Sequence, residues 1–232
     1  MNLPRRLAAL AGYVPHGSIV ADIGTDHAFL PVYLVKSGVC PRVIATDVNP
    51  GPFAAAEKVV TTYHLQDKID LRCGDGLRVL QPGEAQVLIV AGMGGGTIRD
   101  ILAVVPAMLN QIRRLILQPM VDAGDLRAWL VENGWLLADE MLVEENGRIY
   151  VVILAEPGTE QVRDPLLLEL GPRLLEKRDP LLLVYLEEII RRHQHVLSEL
   201  ARSSSTGARR KVRELEVKLA RTENIYNYQG RR

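Results

Sequence analysis

Unbroken apolar runs recur through the first half of the chain, at 18–24 (SIVADIG), 42–48 (RVIATDV), 69–76 (IDLRCGDG), 86–95 (QVLIVAGMGG) and 113–119 (RRLILQP). Runs of this length, rich in Val, Ile and Leu and without polar alternation, predict strands buried on both faces. Helix-length segments separate them at 28–37, 50–64, 97–109 and 122–133. The second opens on Pro50-Gly51-Pro52, which suits the first turn of a helix and not its interior. Strand and helix in regular alternation predict a parallel sheet built from βαβ units.

The pattern changes at Trp135. Two β-rich runs follow, joined by Glu145-Asn146-Gly147-Arg148, and Asn-Gly between such runs predicts an antiparallel hairpin. Beyond Pro157, the prolines at 165, 172 and 180 interrupt a Leu-, Arg- and Glu-rich stretch that reads as a linker. Leu182, Leu186, Ile189, His193, Val196 and Leu200 then recur at helical spacing. The run SSSTG at 203–207 breaks this stripe, and Val212, Leu215 and Leu219 resume it, so two helices folded back on each other are expected. The division implied is 1–157 for an α/β domain and 158–232 for a helical, coiled-coil-like C-terminal domain.

Composition bounds the class. The 232 residues are 47% hydrophobic and 24% charged, ordinary for a chain with a substantial core. Cys40 and Cys73 are too few for a disulfide framework and lack metal-ligand spacing, which points to a reducing, cytoplasmic setting with no metal. No apolar run approaches the ~18 residues of a membrane span, and no secretory leader is evident in MNLPRRLAAL. Formal charge is zero overall but unevenly spread: 173–232 holds 14 Lys and Arg against 8 Asp and Glu, net +6, leaving net −6 for 1–172. A basic tail on an acidic body changes the range of partners to consider.

The strand ends carry the candidate chemistry. A dinucleotide fingerprint needs successive glycines so that a pyrophosphate can meet a helix N-terminus. VADIGTDHAFLP offers Gly24 alone, and Asp26 would set a negative charge where the pyrophosphate belongs. S-adenosylmethionine, a cation without phosphate, is compatible with Asp22, Gly24 and Asp26. Asp47 ends the second strand about 20 residues on, where an acid can accept from both ribose hydroxyls. Asp75 of CGDG is placed to take the adenine amine, with Gly76 leaving room for the ring. Each acid alone could equally cap a helix or close a turn. Their succession at neighbouring strand ends favours a shared ligand.

In AGMGGG, Ala91, Gly92, Met93 and Gly94 let a planar base or the methionine end of the cofactor approach the main chain. His27 is a candidate proton carrier or RNA contact, and Gln118 could bond the base or merely cap a helix. Trp129 and Trp135 read as core. His193 and His195, two apart on a helix, do not share a face and suggest no metal site.

With these residues placed, the chain resembles the bacterial tRNA (adenine-N1)-methyltransferases of the TrmK type, through VADIGTDHAFLP, GDGL, AGMGG, LILQP and EENGRIYVVILAE in order. Where relatives often have Asn after Gln-Pro, this chain has Met120. The resemblance implies a class I, Rossmann-like methyltransferase sheet ending in an antiparallel hairpin. It implies S-adenosylmethionine as cofactor, S-adenosylhomocysteine as product and tRNA position 22 as target. Adenine N1 has an in-plane lone pair suited to direct displacement, and the base must leave its stack to react. Asp26 is the expected catalytic group, as a charge beside the methylated base or as a base toward its amine. The basic hairpin turn, with Arg202, Arg209, Arg210, Lys211 and Arg213, is expected to grip phosphates, Arg5 and Arg6 adding a second contact. Rival readings are a methyltransferase for a small molecule or protein, with the hairpin forming a homodimer, and a non-catalytic RNA-binding protein.

Overall fold

Seven strands join in one sheet in the order β3-β2-β1-β4-β5-β7-β6. The computed structural model describes residues 2–201 and 206–231. The parallel strands are β1 (Val20–Ile23), β2 (Val43–Asp47), β3 (Ile69–Cys73), β4 (Val87–Met93) and β5 (Arg114–Pro119). β1, β2 and the first part of β4 are buried along their length, as their unbroken apolar runs require. β6 (Trp135–Glu145) and β7 (Arg148–Pro157) form the antiparallel hairpin, and β7 inserts against β5. Asn146 and Gly147 both take positive φ, the conformation that the Asn-Gly pair supplies.

α2 (Phe29–Lys36), α3 (Pro50–Thr62) and α6 (Ala123–Glu132) match three of the expected helices. The fourth divides into α4 (Gly95–Ala103) and α5 (Pro106–Leu109). Val105 precedes Pro106 and sits at φ −134°, ψ 75°, because the proline ring crowds a helical residue before it. The N-terminal α1 (Arg5–Gly12) was not marked by the apolar pattern. It buries Leu10 completely and ties back to the hairpin where the Tyr13 hydroxyl donates to Asp139 Oδ2 at 2.9 Å. Apolar clusters fill both faces of the sheet.

The stretch expected as a linker is structured. Asp164 Oδ1 accepts from Leu166 N–H at 2.9 Å and Pro165 takes the first turn, starting α7 (Pro165–Leu170), followed by α8 (Pro172–Lys177). Leu166, Leu168, Leu170 and Leu174 are buried in the same cluster as α6 and the hairpin, and Leu182, Leu186 and Ile189 of α9 (Leu182–Leu200) extend it. A charge pair joins this region to the sheet: Arg127 of α6 and Glu140 of β6, both without exposed surface. Arg127 also donates to Leu168 O and Glu169 O, at 2.9 and 3.0 Å, while Glu140 Oε2 accepts from Arg173 N–H at 3.0 Å. Burial opposes the guanidinium's charge, and Glu140 together with Tyr185 more than restores it.

α10 (Thr206–Gly230) returns antiparallel to α9: near its end the Tyr226 hydroxyl donates to Glu187 Oε1 at 2.6 Å, close to the start of α9. Arg221 pairs with Asp164, and Lys218 with Glu169, which His193 Nε2 also contacts at 3.0 Å. Burial along the α9 stripe fades outward, from Ile189 and His193 inside to Val196 exposed.

Candidate active site

The carboxyl ends of β1, β2 and β4, with the turn after β3, open on one cavity of about 620 Å³. Strand order places them side by side, so residues distant in sequence meet at one rim. After β1, the N–H groups of Gly24 and Thr25 both donate to Thr46 O at 2.9 Å, which binds the turn to β2. Asp26 and Ala28 then adopt φ of +53° each, a left-handed conformation rare for residues with a Cβ and costing about 1–2 kcal/mol apiece. Asp47 fixes this shape. Its Oδ2 accepts from Asp26 N–H at 3.1 Å and its Oδ1 from Asn49 N–H at 2.9 Å. The left-handed turns carry Asp26 and His27 to the cavity mouth, Asp26 Oδ1 lying 3.7 Å from His27 Nε2. The His27 ring stacks on Phe29, centroids 5.4 Å apart.

Asp22 lies at the cavity floor with almost no exposure. Burial pushes its carboxyl up to about 6; Thr25 opposes that rise and the Asp47 charge adds to it. Beside β3, Asp75 is exposed and 3.1 Å from Arg78 Nε. Gly76 has positive φ, and a Cβ there would stand 3.2 Å from Ile101 Cγ2. Both the backbone and the crowding call for glycine.

The glycine run after β4 serves several ends. A bulge between Ala91 and Met93 shifts the β4–β5 register and takes Gly92 out of the ladder. Gly92 N–H finds its acceptor in Gln118 Oε1 at 3.1 Å. Met93 lies over Gly24, its methyl occupying the space of a Cβ. Gly94 caps α4 and is not among the cavity-lining residues, while a Cβ on Gly95 would run into the backbone of Asp122. Ala91, Gly92 and Met93 line the cavity.

Gln118, expected to meet a base or cap a helix, is fully buried and spends its amide on the protein. Besides Gly92, its Oε1 accepts from Arg6 Nη1 at 2.7 Å, and its Nε2 donates to Pro119 O at 3.1 Å. Arg6, expected beside Arg5 as an outer tRNA contact, instead lines the cavity with a side chain 24% exposed. Arg5 points outward, 77% exposed and 3.6 Å from Glu144. Arg209, Arg210, Lys211 and Arg213 are exposed on α10, with Arg210 3.6 Å from Glu214; Arg202 lies outside the described residues. Sequence reasoning missed the place of Arg6 in the cavity wall because it depends on α1 folding back across the sheet end. The Gly92 N–H, taken out of the ladder and received by Gln118, was equally invisible without the bulge.

Among the described residues, four carboxylates, of Asp22, Asp26, Asp47 and Asp75, thus face the cavity against one guanidinium. The set repels a pyrophosphate and suits a ligand with cationic centres and a sugar diol.

The family described as "Methyltransferase domain" matches residues 3–153. The chain is 33% identical to the tRNA (adenine(22)-N(1))-methyltransferase of Bacillus subtilis (strain 168), over 98% of each chain. The structure of Streptococcus pneumoniae Sp1610, a putative tRNA (m1A22) methyltransferase in complex with S-adenosyl-L-methionine, superposes with a TM-score of 0.87. That match has 30% identity and covers 97% of this chain and 100% of the other. M. capricolum TrmK in complex with S-adenosyl-homocysteine gives 0.80 at 25% identity, covering 98% of both.

Proposed function

The chain belongs to the bacterial tRNA (adenine(22)-N1)-methyltransferase family, and from that premise we propose how its residues methylate adenine N1 at tRNA position 22 with S-adenosylmethionine. When bound, the cofactor supplies an electrophilic methyl group on a sulfonium. The donor set fits it: acids for a cation and a diol, glycine turns where a ring must lie close, and no phosphate cradle. Asp47 takes the ribose hydroxyls and Asp75 the adenine amine, with Gly76 giving the ring room. Asp22 faces the amino group, while Gly24, Ala91, Gly92 and Met93 shape the walls and Gly94 starts α4.

Asp26 stands at the mouth, where an adenosine arrives from outside, and its carboxylate faces the positive charge the base acquires. His27 on Phe29 offers an aromatic surface beside it. Both are presented by a turn whose shape Asp47 fixes, so orientation is set before the substrate arrives. The exposed cations of α10 grip tRNA phosphates, giving 158–232 the task of holding RNA and 1–157 that of chemistry. Among the described residues no helix is long and apolar enough to cross a membrane; the free thiols Cys40 and Cys73 fit work in the cytoplasm.

The observation that carries this reading is the convergence of acids from successive strand ends on one cavity. Incubation with methyl-labelled cofactor and unmodified bacterial tRNA should place label at N1 of adenine 22. Label elsewhere, or in a protein or small molecule only, overturns it.

A further inference from the structure

We infer that Arg6 is the group that recognises the cofactor's carboxylate, with Gln118 as its positioning residue. The inference rests on S-adenosylmethionine binding in the cavity as proposed above. S-adenosylmethionine and S-adenosylhomocysteine each carry one anionic group, the carboxylate of their amino-acid end. A carboxylate entering a cavity that already holds Asp22, Asp26, Asp47 and Asp75 is repelled unless a cation meets it. Among the described residues, Arg6 is the only Lys or Arg that lines that cavity.

Its place matches the need. Asp75 and Asp47 occupy the β3 and β2 side, the adenosine end, while Arg6 lies across the rim at Gly92, on the end of β4. A Cβ built on Gly92 would be 3.7 Å from Arg6 Nη1, so the glycine leaves the approach to the guanidinium open.

The guanidinium is also pre-set. Nη1 donates to Gln118 Oε1 at 2.7 Å, Nε lies 4.0 Å from Glu145 Oε2, and the group rides 5.6 Å from the Tyr150 ring centroid. Glu145 Oε1 accepts from Arg6 N–H at 3.2 Å, which anchors the start of α1. None of these partners is a tight bidentate carboxylate, so the planar donor edge that matches a ligand carboxylate is not consumed. Gln118 Oε1 receives Gly92 N–H and Arg6 Nη1 together, coupling the bulge to the guanidinium.

The test compares two ligands by calorimetry: S-adenosylhomocysteine, and S-adenosyl-3-thiopropylamine, which keeps adenosine, sulfur and amine but lacks the carboxylate. The unaltered enzyme should favour S-adenosylhomocysteine. Arg6→Met should weaken it roughly 30-fold, as expected for a lost charge-assisted hydrogen bond, while leaving the thiopropylamine within about twofold. Gln118→Leu, which keeps the guanidinium but not its support, should lose part of the same preference; Arg6→Lys should recover part of it. Equal weakening of both ligands by Arg6→Met, with unchanged melting temperature, would overturn the inference and leave the function standing. Failure of the unaltered enzyme to bind S-adenosylhomocysteine would remove the proposed function as well.

Discussion

Asp47 bears on Asp22 from the carboxyl end of the adjacent strand: burial first, and then the Asp47 charge, against the opposing Thr25 hydrogen bond, raise Asp22 to about 6. An acid whose pKa rises on folding favours the folded state fully below its unfolded value near 4. It loses that contribution as pH climbs through 6. Asp22→Asn should therefore stabilise the cofactor-free protein at pH 7.5 by roughly 2–3 kcal/mol and have little effect at pH 4, as read by denaturant unfolding. The same substitution should weaken S-adenosylmethionine. A cation beside Asp22 favours its ionised form, so cofactor binding should release a proton near pH 6 and none at pH 8, measurable by calorimetry in buffers of different ionisation enthalpy.

Asp26→Asn keeps a residue that tolerates the left-handed conformation at this position. The expected outcome is a fall in kcat of about 10- to 100-fold with cofactor affinity within twofold, consistent with a lost charge near the reacting base. A fall confined to cofactor affinity would place Asp26 with the cofactor and not the base.

Gly95 and Gly96 adjoin in sequence and differ in surroundings. Gly95→Ala drives a Cβ into the Asp122 backbone, whereas Gly96→Ala meets nothing within 4 Å. The first should cost at least ~2 kcal/mol and disturb the α4 start; the second should be neutral or gain up to ~1 kcal/mol from helix propensity. Thermal unfolding of the two variants separates them.

Removing one member of the Arg127–Glu140 pair leaves a buried charge uncompensated, about 3–5 kcal/mol of destabilisation for Arg127→Met or Glu140→Leu alone. The double variant should recover much of it. A double-mutant cycle by denaturant unfolding gives the coupling.

Reversing charge at Arg209, Arg210, Lys211 and Arg213 to Glu should weaken tRNA binding at least tenfold and flatten its salt dependence, with cofactor affinity unchanged. Truncation at 173 is not an equivalent test, since Leu174, Leu182, Leu186 and Ile189 belong to the shared core.

The parallel strands were legible because burial on both faces leaves unbroken apolar runs, and the hairpin because Asn146-Gly147 permits few other turns. Asp22, Asp47 and Asp75 could be placed because strand ends in a parallel sheet converge whatever the loops do. The prolines at 165 and 172 looked like linker punctuation, yet each occupies a helix's first turn, where a missing N–H costs nothing. The AGMGGG run read as a single ligand surface, but its glycines answer to a bulge, a cap and a backbone contact in turn. Gln118 and Arg6 are joined by a hydrogen bond across 112 residues, a separation no local pattern reports.

The Arg127 hub has a geometric corollary. It ties α7 to α6, and α6 follows directly on residues 120–122 after β5, the strand beside β4, so the base of the helical hairpin is tied to the sheet that carries the cavity. From Glu187 to the end of α9 is about 20 Å at 1.5 Å per residue. Helix length therefore sets how far the α10 cations Arg209, Arg210, Lys211 and Arg213 stand from the shared core. If these cations hold the tRNA backbone as proposed above, an RNA would be selected by whether one adenosine reaches the cavity mouth while its backbone rests on them, by distance as much as by sequence.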